Sequence, residues 1–264
     1  MSAKSALLGS SLVKKYWMAL TGLFLCSFLV VHLIGNLQLL YSDGGLAFNE
    51  YAEFMTTFPL IKVTSYLLYF SILFHAVDGI MLVMQNKKAR PVSYAYNKPG
   101  ANSVWTSRYM GILGTIILVF IVTHMAQFWG KMHFDTIPVM QVEGEYLLAS
   151  GEALAGAVAQ NVDGTMHLFV DGKDMGKGLK DLYTVVVKTY TEGAMGHVWV
   201  ILYVLAMAAL AFHLSHGFAS AFQSLGLRHP RYTKLIKIVG LIFSYGIAAA
   251  FAAIPVLLHI CNHA

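Results

Sequence analysis

An imidazole inside an apolar run is costly to bury unless it hydrogen-bonds, ligates a metal or lines a pathway. Four such histidines recur along this chain, His32, His75, His124 and His213, each near the middle of a different apolar stretch. A helix rises about 1.5 Å per residue, so sequence counts convert to depth. His32 follows Tyr16 by 16 residues and His124 follows Arg108 by 16, roughly 24 Å in each case. His75 precedes Met84 by nine residues and His213 precedes Phe222 by nine, roughly 14 Å in each case. Two equal-depth pairs on alternate helices are what two bis-imidazole haems stacked along a membrane normal require, each iron between opposed neutral imidazoles.

Glycines accompany all four histidines. In the inner pair, Gly79 follows His75 and Gly217 follows His213 by one turn on the same face, where a porphyrin can approach the backbone. In the outer pair, Gly22 precedes His32 and Gly114 precedes His124 by ten residues, which sets both roughly 15 Å inward, beside the inner haem. Small residues also mediate helix packing in lipid, which is the competing reading of each glycine. His216 rivals His213 as the fourth ligand. His213 is preferred because its depth and its following glycine match those of His75, leaving His216 as a contact to the ligand or to a propionate. Asp78, one turn inward of His75, requires protonation or a cation such as Arg108. Arg108, with Ser107, Lys87 and Tyr16, is a candidate for holding propionates, with snorkelling to lipid phosphates the alternative.

The elements that must position these residues follow from composition. Of the 264 residues 57% are hydrophobic and 12% charged, too apolar for a water-soluble fold of this length. Runs long enough for the roughly 20 residues of a transmembrane helix extend over about 16–40, 60–84, 109–129, 198–222 and 236–260. The expected fold is therefore all-α, one integral membrane bundle of five helices with a long outer-side loop at 130–196. The first run is read as a retained helix because it is too long for a signal peptide and lacks a small-residue cleavage site.

Lys4, Lys14, Lys15, Lys87, Lys88, Arg90, Lys98, Arg108, Arg228, Arg231, Lys234 and Lys237 all fall on one side. The positive-inside rule makes that side, and the N-terminus, cytoplasmic, in a membrane of the bacterial inner type. The net charge of +5 thus describes topology, and no basic-aromatic pattern points to nucleic acid. In the outer loop, Asp163-Gly164 and Asp171-Gly172 flank the apolar Met166–Val170, the signature of a short hairpin. Cys26 and Cys261 lack paired spacing for a metal or redox site.

The segments Val31-His32-Leu33-Ile34-Gly35-Asn36, Phe74-His75-Ala76-Val77-Asp78-Gly79, Phe120 through His124, and Phe212-His213-Leu214-Ser215-His216-Gly217 carry a family likeness. Set in five helices, they resemble the di-haem cytochrome b membrane subunits of succinate dehydrogenases and fumarate reductases. The resemblance covers most of the chain and is weakest at 130–196. It implies a cytoplasmic flavoprotein and iron-sulfur protein that interconvert succinate and fumarate, docked on the basic inward loops. By the same resemblance His75 and His213 hold the proximal haem b, His32 and His124 the distal one, and the electrons exchange with a quinone, expected to be menaquinone. Some fumarate-reducing relatives carry a glutamate two positions before the fourth ligand; this chain has Ala211 there, which favours succinate oxidation.

A quinone site needs an apolar slot near a haem edge and a proton-exchanging group. Glu50 is the first candidate and Glu53 the second, with a solvated loop acid the alternative for each. His133 and His197 are expected to play interfacial roles. Two other functions fit parts of the pattern. One is a haem b anchor of another dehydrogenase, although such anchors differ in helix number and usually face a module on the outer side. The other is a proton-coupled transporter with the histidines and Asp78 as a relay, for which broken helices or inverted repeats are the missing features.

Overall fold

The computed structural model describes residues 11–89, 91–92 and 98–261; Lys4 and Arg90, two of the cations expected on the inward side, lie outside the described residues. Seven helices carry most of it: α1 (Ser11–Leu37), α2 (Leu46–Thr57), α3 (Pro59–Lys88), α4 (Met110–Met125), α5 (Leu182–Thr191), α6 (Gly193–Ser224) and α7 (Pro230–Cys261). Five helical stretches are long and apolar enough to cross a membrane, Leu12–Leu40, Pro59–Lys88, Met110–Phe134, Gly193–Ser224 and Pro230–Cys261. They correspond to the five runs expected from hydropathy, and most overrun them at both ends.

Local punctuation explains where the helices stop and start. Proline opens α3 and α7, where its missing N–H costs nothing and its fixed φ suits a first turn. Beyond α6, Gly226 at φ +78° lets Leu227 N donate to Phe222 O at 2.9 Å and Gly226 N to Gln223 O at 3.1 Å. That pair of bonds is a Schellman closure, and it makes the turn into α7 short. Asp181 caps α5 by accepting from Thr184 N at 3.0 Å.

The all-α expectation needs one correction, in the segment between α4 and α5. Residues there form two three-stranded antiparallel sheets, β1 (Gln141–Val142), β2 (Glu145–Leu147) and β3 (Ala153–Leu154), then β4 (Val158–Val162), β5 (Thr165–Val170) and β6 (Lys173–Lys177). Asp163-Gly164 joins β4 to β5 and Asp171-Gly172 joins β5 to β6, all four residues at positive φ. Two-residue loops of that hand match the twist of paired strands. Glu143-Gly144 makes the same turn between β1 and β2. Val139, Leu148 and the fully buried Leu168 of β5 form a small apolar core in this segment. Glu50 and Glu53, for which a solvated loop acid is the alternative, both lie on the helix α2.

The chain divides into two compact units. The first draws on Met1–Val31, Ser65–Val119 and Leu205–Ala250; the second draws on His32–Thr64, Phe120–Val204 and Phe251–Ala264 and includes both sheets. Each unit contains one pair of the four histidines.

Candidate functional site

In the first unit, α3 carries His75 and α6 carries His213, and their ring centroids lie 6.3 Å apart with planes at 69°. It is the ring of His213 that meets His75; His216 lies half-buried one turn further along α6. Thr21 on α1 places its Oγ1 3.2 Å from His75 Nδ1. His213 Nδ1 is buried with no hydrogen-bond partner among the described residues. An orphaned buried nitrogen is uncommon enough in folded proteins to need an explanation.

Gly22 and Gly114 flank the two imidazoles. A β-carbon on Gly22 would stand 3.2 Å from His75 Cε1, and one on Gly114 would stand 3.6 Å from His213 Cε1. Glycine at these positions lets α1 and α4 approach the rings. At Gly79 and Gly217 the methyl groups of Met18 and Met110 lie 3.8 and 3.9 Å from a built β-carbon. Asp78 is half-buried, while Arg108 is exposed and donates to the Ser103 carbonyl. Ala211 is buried.

In the second unit, His32 of α1 and His124 of α4 stand 5.8 Å apart, centroid to centroid, with planes at 71°. Phe251 lies 5.5 Å from the His32 ring, and Asn36 Nδ2 donates to His32 O at 2.8 Å. Around His124 are Phe128 at 5.2 Å, Phe120 at 5.6 Å and Tyr203 at 6.1 Å. A π-helical turn, Ala126–Gly130, begins just beyond this histidine. Such bulges concentrate at functional sites. Gln127 within it accepts from Tyr203 Oη at 2.7 Å.

These distances test whether the residues suit an axially ligated metal. Two imidazoles sharing one metal, each with nitrogen at about 2 Å, bring their ring centroids to roughly 6 Å. Both pairs meet that requirement. Among the described residues no three His, Cys, Asp or Glu side chains gather into a metal-holding group. The candidate donor sets are the two imidazole pairs.

Glu50 and Glu53 of α2 line one cleft of about 260 Å³ with Phe54, Thr57, Ala149, Ser150 and Gly151. Behind it, Tyr51 lies edge-on to Gly35, where a β-carbon would come within 2.5 Å of the ring. Burial raises the Tyr51 phenol above its ordinary value. His133 is exposed and stacks on Trp129, with ring centroids 4.4 Å apart.

Two groupings escaped the sequence reading. His197 and His259 meet at 4.4 Å, with His259 Nδ1 on the Tyr190 carbonyl. Their positions, near the start of α6 and near the end of α7, were the available signal. Tyr190, Tyr203 and Gln127 form the other, and nothing in their spacing marks it. Comparisons with protein-family models, with curated proteins and with solved structures gave no match to this chain.

Proposed function

We propose that this chain is the cytochrome b membrane subunit of a succinate:quinone oxidoreductase, passing electrons between a cytoplasmic flavoprotein and iron-sulfur module and membrane quinone. The observation that carries the reading is the pair of facing imidazole sets, each at a separation suited to one shared metal. The sequence resemblance at the same four histidines supports haem b as the group held. A bilayer as solvent accords with apolar side chains standing open on every long helix, among them Val31, Leu60, Val119, Leu205 and Ile242. The basic inward loops set the N-terminus on the cytoplasmic side and give the hydrophilic partners a docking face.

Bound between these histidines, haem supplies a one-electron carrier. The protein's part is to hold and tune it. His75 and His213 hold the proximal group; His32 and His124 hold the distal one within a wall of Phe120, Phe128, Phe251 and Tyr203 that excludes water. Glu50 Oε1, in the outer cleft, exchanges protons with a quinone oxygen, and Glu53 is its second. Menaquinone is the expected species. No residue of this chain is assigned to succinate oxidation, which belongs to the flavoprotein.

A reduced-minus-oxidised visible spectrum of the purified protein tests the reading directly. A b-type band corresponding to two haems per chain is expected, with a flavoprotein and an iron-sulfur protein copurifying. Absence of any b-type band would remove the proposal.

A further inference from the structure

The surroundings of His75 and His213 repeat across two helix pairs. Met110, Gly114 and His124 of α4 follow Met18, Gly22 and His32 of α1 at a constant offset of 92 residues. His213 and Gly217 of α6 follow His75 and Gly79 of α3 at a constant offset of 138. The contacts repeat as well. Gly22 faces the His75 ring as Gly114 faces that of His213, and Gly79 meets Met18 as Gly217 meets Met110.

The repeat breaks one residue before the glycine. Thr21 occupies that position on α1 and the buried Leu113 occupies it on α4, again 92 residues on. The consequence is visible in the hydrogen bonding: His75 Nδ1 has Thr21 Oγ1 at 3.2 Å, whereas His213 Nδ1 has no partner among the described residues. Thr21 Oγ1 also lies 2.7 Å from the Trp17 carbonyl, which can only accept, so the hydroxyl proton is committed there. What the hydroxyl offers His75 is a lone pair. The imidazole must then carry its proton on Nδ1, which leaves Nε2 as the metal-binding nitrogen.

We infer that Thr21 is a positioning residue that fixes the His75 tautomer and strengthens this imidazole as a donor, making the two axial ligands of the inner haem unequal. The inference rests on the reading of His75 and His213 as a haem pair. A hydrogen bond accepted from the non-ligating nitrogen raises ligand basicity and favours the oxidised metal, so it lowers the reduction potential of that one haem.

The test is a potentiometric titration of the haem bands in the assembled, haem-loaded complex. Thr21→Val keeps the shape and removes the side-chain acceptor, while the Met18 backbone, the other hydrogen-bond partner of His75, stays in place; it should raise the potential of one haem and leave the other unmoved. A tenfold change in its reduced-to-oxidised ratio at fixed poise, about 59 mV for a one-electron couple, is the expected scale. Thr21→Ser should retain the native potential. Leu113→Thr, which supplies the hydroxyl that His213 lacks, should move the same haem the opposite way. If Thr21→Val costs the haem altogether, retention in Thr21→Ser still supports the hydroxyl role, and loss in both overturns it. Native potentials in Thr21→Val, with both haems present, also overturn it. A native complex without any b-type band overturns the functional reading itself, and this inference with it.

Discussion

His32 and His124 face one another with their ring centroids 5.8 Å apart and their planes at 71°. Each comes from a different helix, and aromatic rings stand beside both, Phe251 at His32 and Phe120, Phe128 and Tyr203 at His124. If the pairs act separately, His32→Ala or His124→Ala should each lose one b-type centre, and His75→Ala or His213→Ala the other. His216→Ala should retain both. Haem content per chain and the resolved difference spectrum measure this. Loss of a centre in His216→Ala but not in His213→Ala would reassign the fourth ligand.

Asn49 is fully buried and its amide is spent on three partners: Oδ1 accepts from Tyr183 N at 2.9 Å, and Nδ2 donates to Asp181 Oδ1 and Met140 Sδ. One side chain thus ties α2 to the start of α5 and to the strand segment. Asn49→Ala would leave a buried N–H and a cap carboxylate short of partners, a cost of about 1–3 kcal/mol. Earlier thermal loss of the outer segment, read by limited proteolysis between Asp135 and Lys180, should follow, with haem spectra unchanged at low temperature.

How much of this was legible in the sequence depends on the range of the interaction. The five long apolar helices and the pairing of His32 with His124 and His75 with His213 are matters of helix rise and hydropathy, and counting residues recovers them. Asp163-Gly164 and Asp171-Gly172 were legible because an Asp-Gly pair adopts a positive-φ turn for local reasons. The strands they join were harder to see. β1 and β3 are two residues each, too short for any alternation, and β4 is mostly exposed along its length. Thr21 and Tyr203 were invisible because a hydroxyl's role depends on what lies across from it. The methionine methyls that meet Gly79 and Gly217 were invisible for the same reason, since spacing does not say what packs across from a glycine.

Tyr190 gives the second unit a pH dependence. It is buried in the core with Leu39, Val186 and Tyr203, and burial, with Tyr203 beside it, holds its phenol well above the ordinary value. In the unfolded chain a tyrosine ionises near pH ~10. Above that the folded state therefore retains a proton that the unfolded state has lost, and stability falls as pH rises. Tyr190→Phe should flatten this alkaline decline while lowering stability somewhat at neutral pH. Thermal midpoints measured from neutral pH to beyond the tyrosine range would show it, and an unchanged slope would refute it.

Glu50 is exposed at the cleft it shares with Glu53, Phe54 and Gly151, and this openness is what a proton-exchanging group needs. A carboxylate there can take a proton from water and pass it to a bound quinone oxygen, whereas an amide of the same shape cannot. Glu50→Gln should therefore slow quinone reduction by about 10²-fold, the lower end for loss of a general acid or base, and leave both haem bands intact. Glu53→Gln should have the smaller effect. Gly151 supplies an independent check: its φ is +89°, and a built β-carbon lies 3.5 Å from Glu50 Oε1. Gly151→Ala strains the turn and crowds the carboxylate, so it should impair quinone reduction without touching succinate oxidation by a soluble acceptor. The ratio of the two activities is the measurement. If Glu50→Gln leaves that ratio at the native value, the proton donor is another group and the cleft is an ordinary surface hollow.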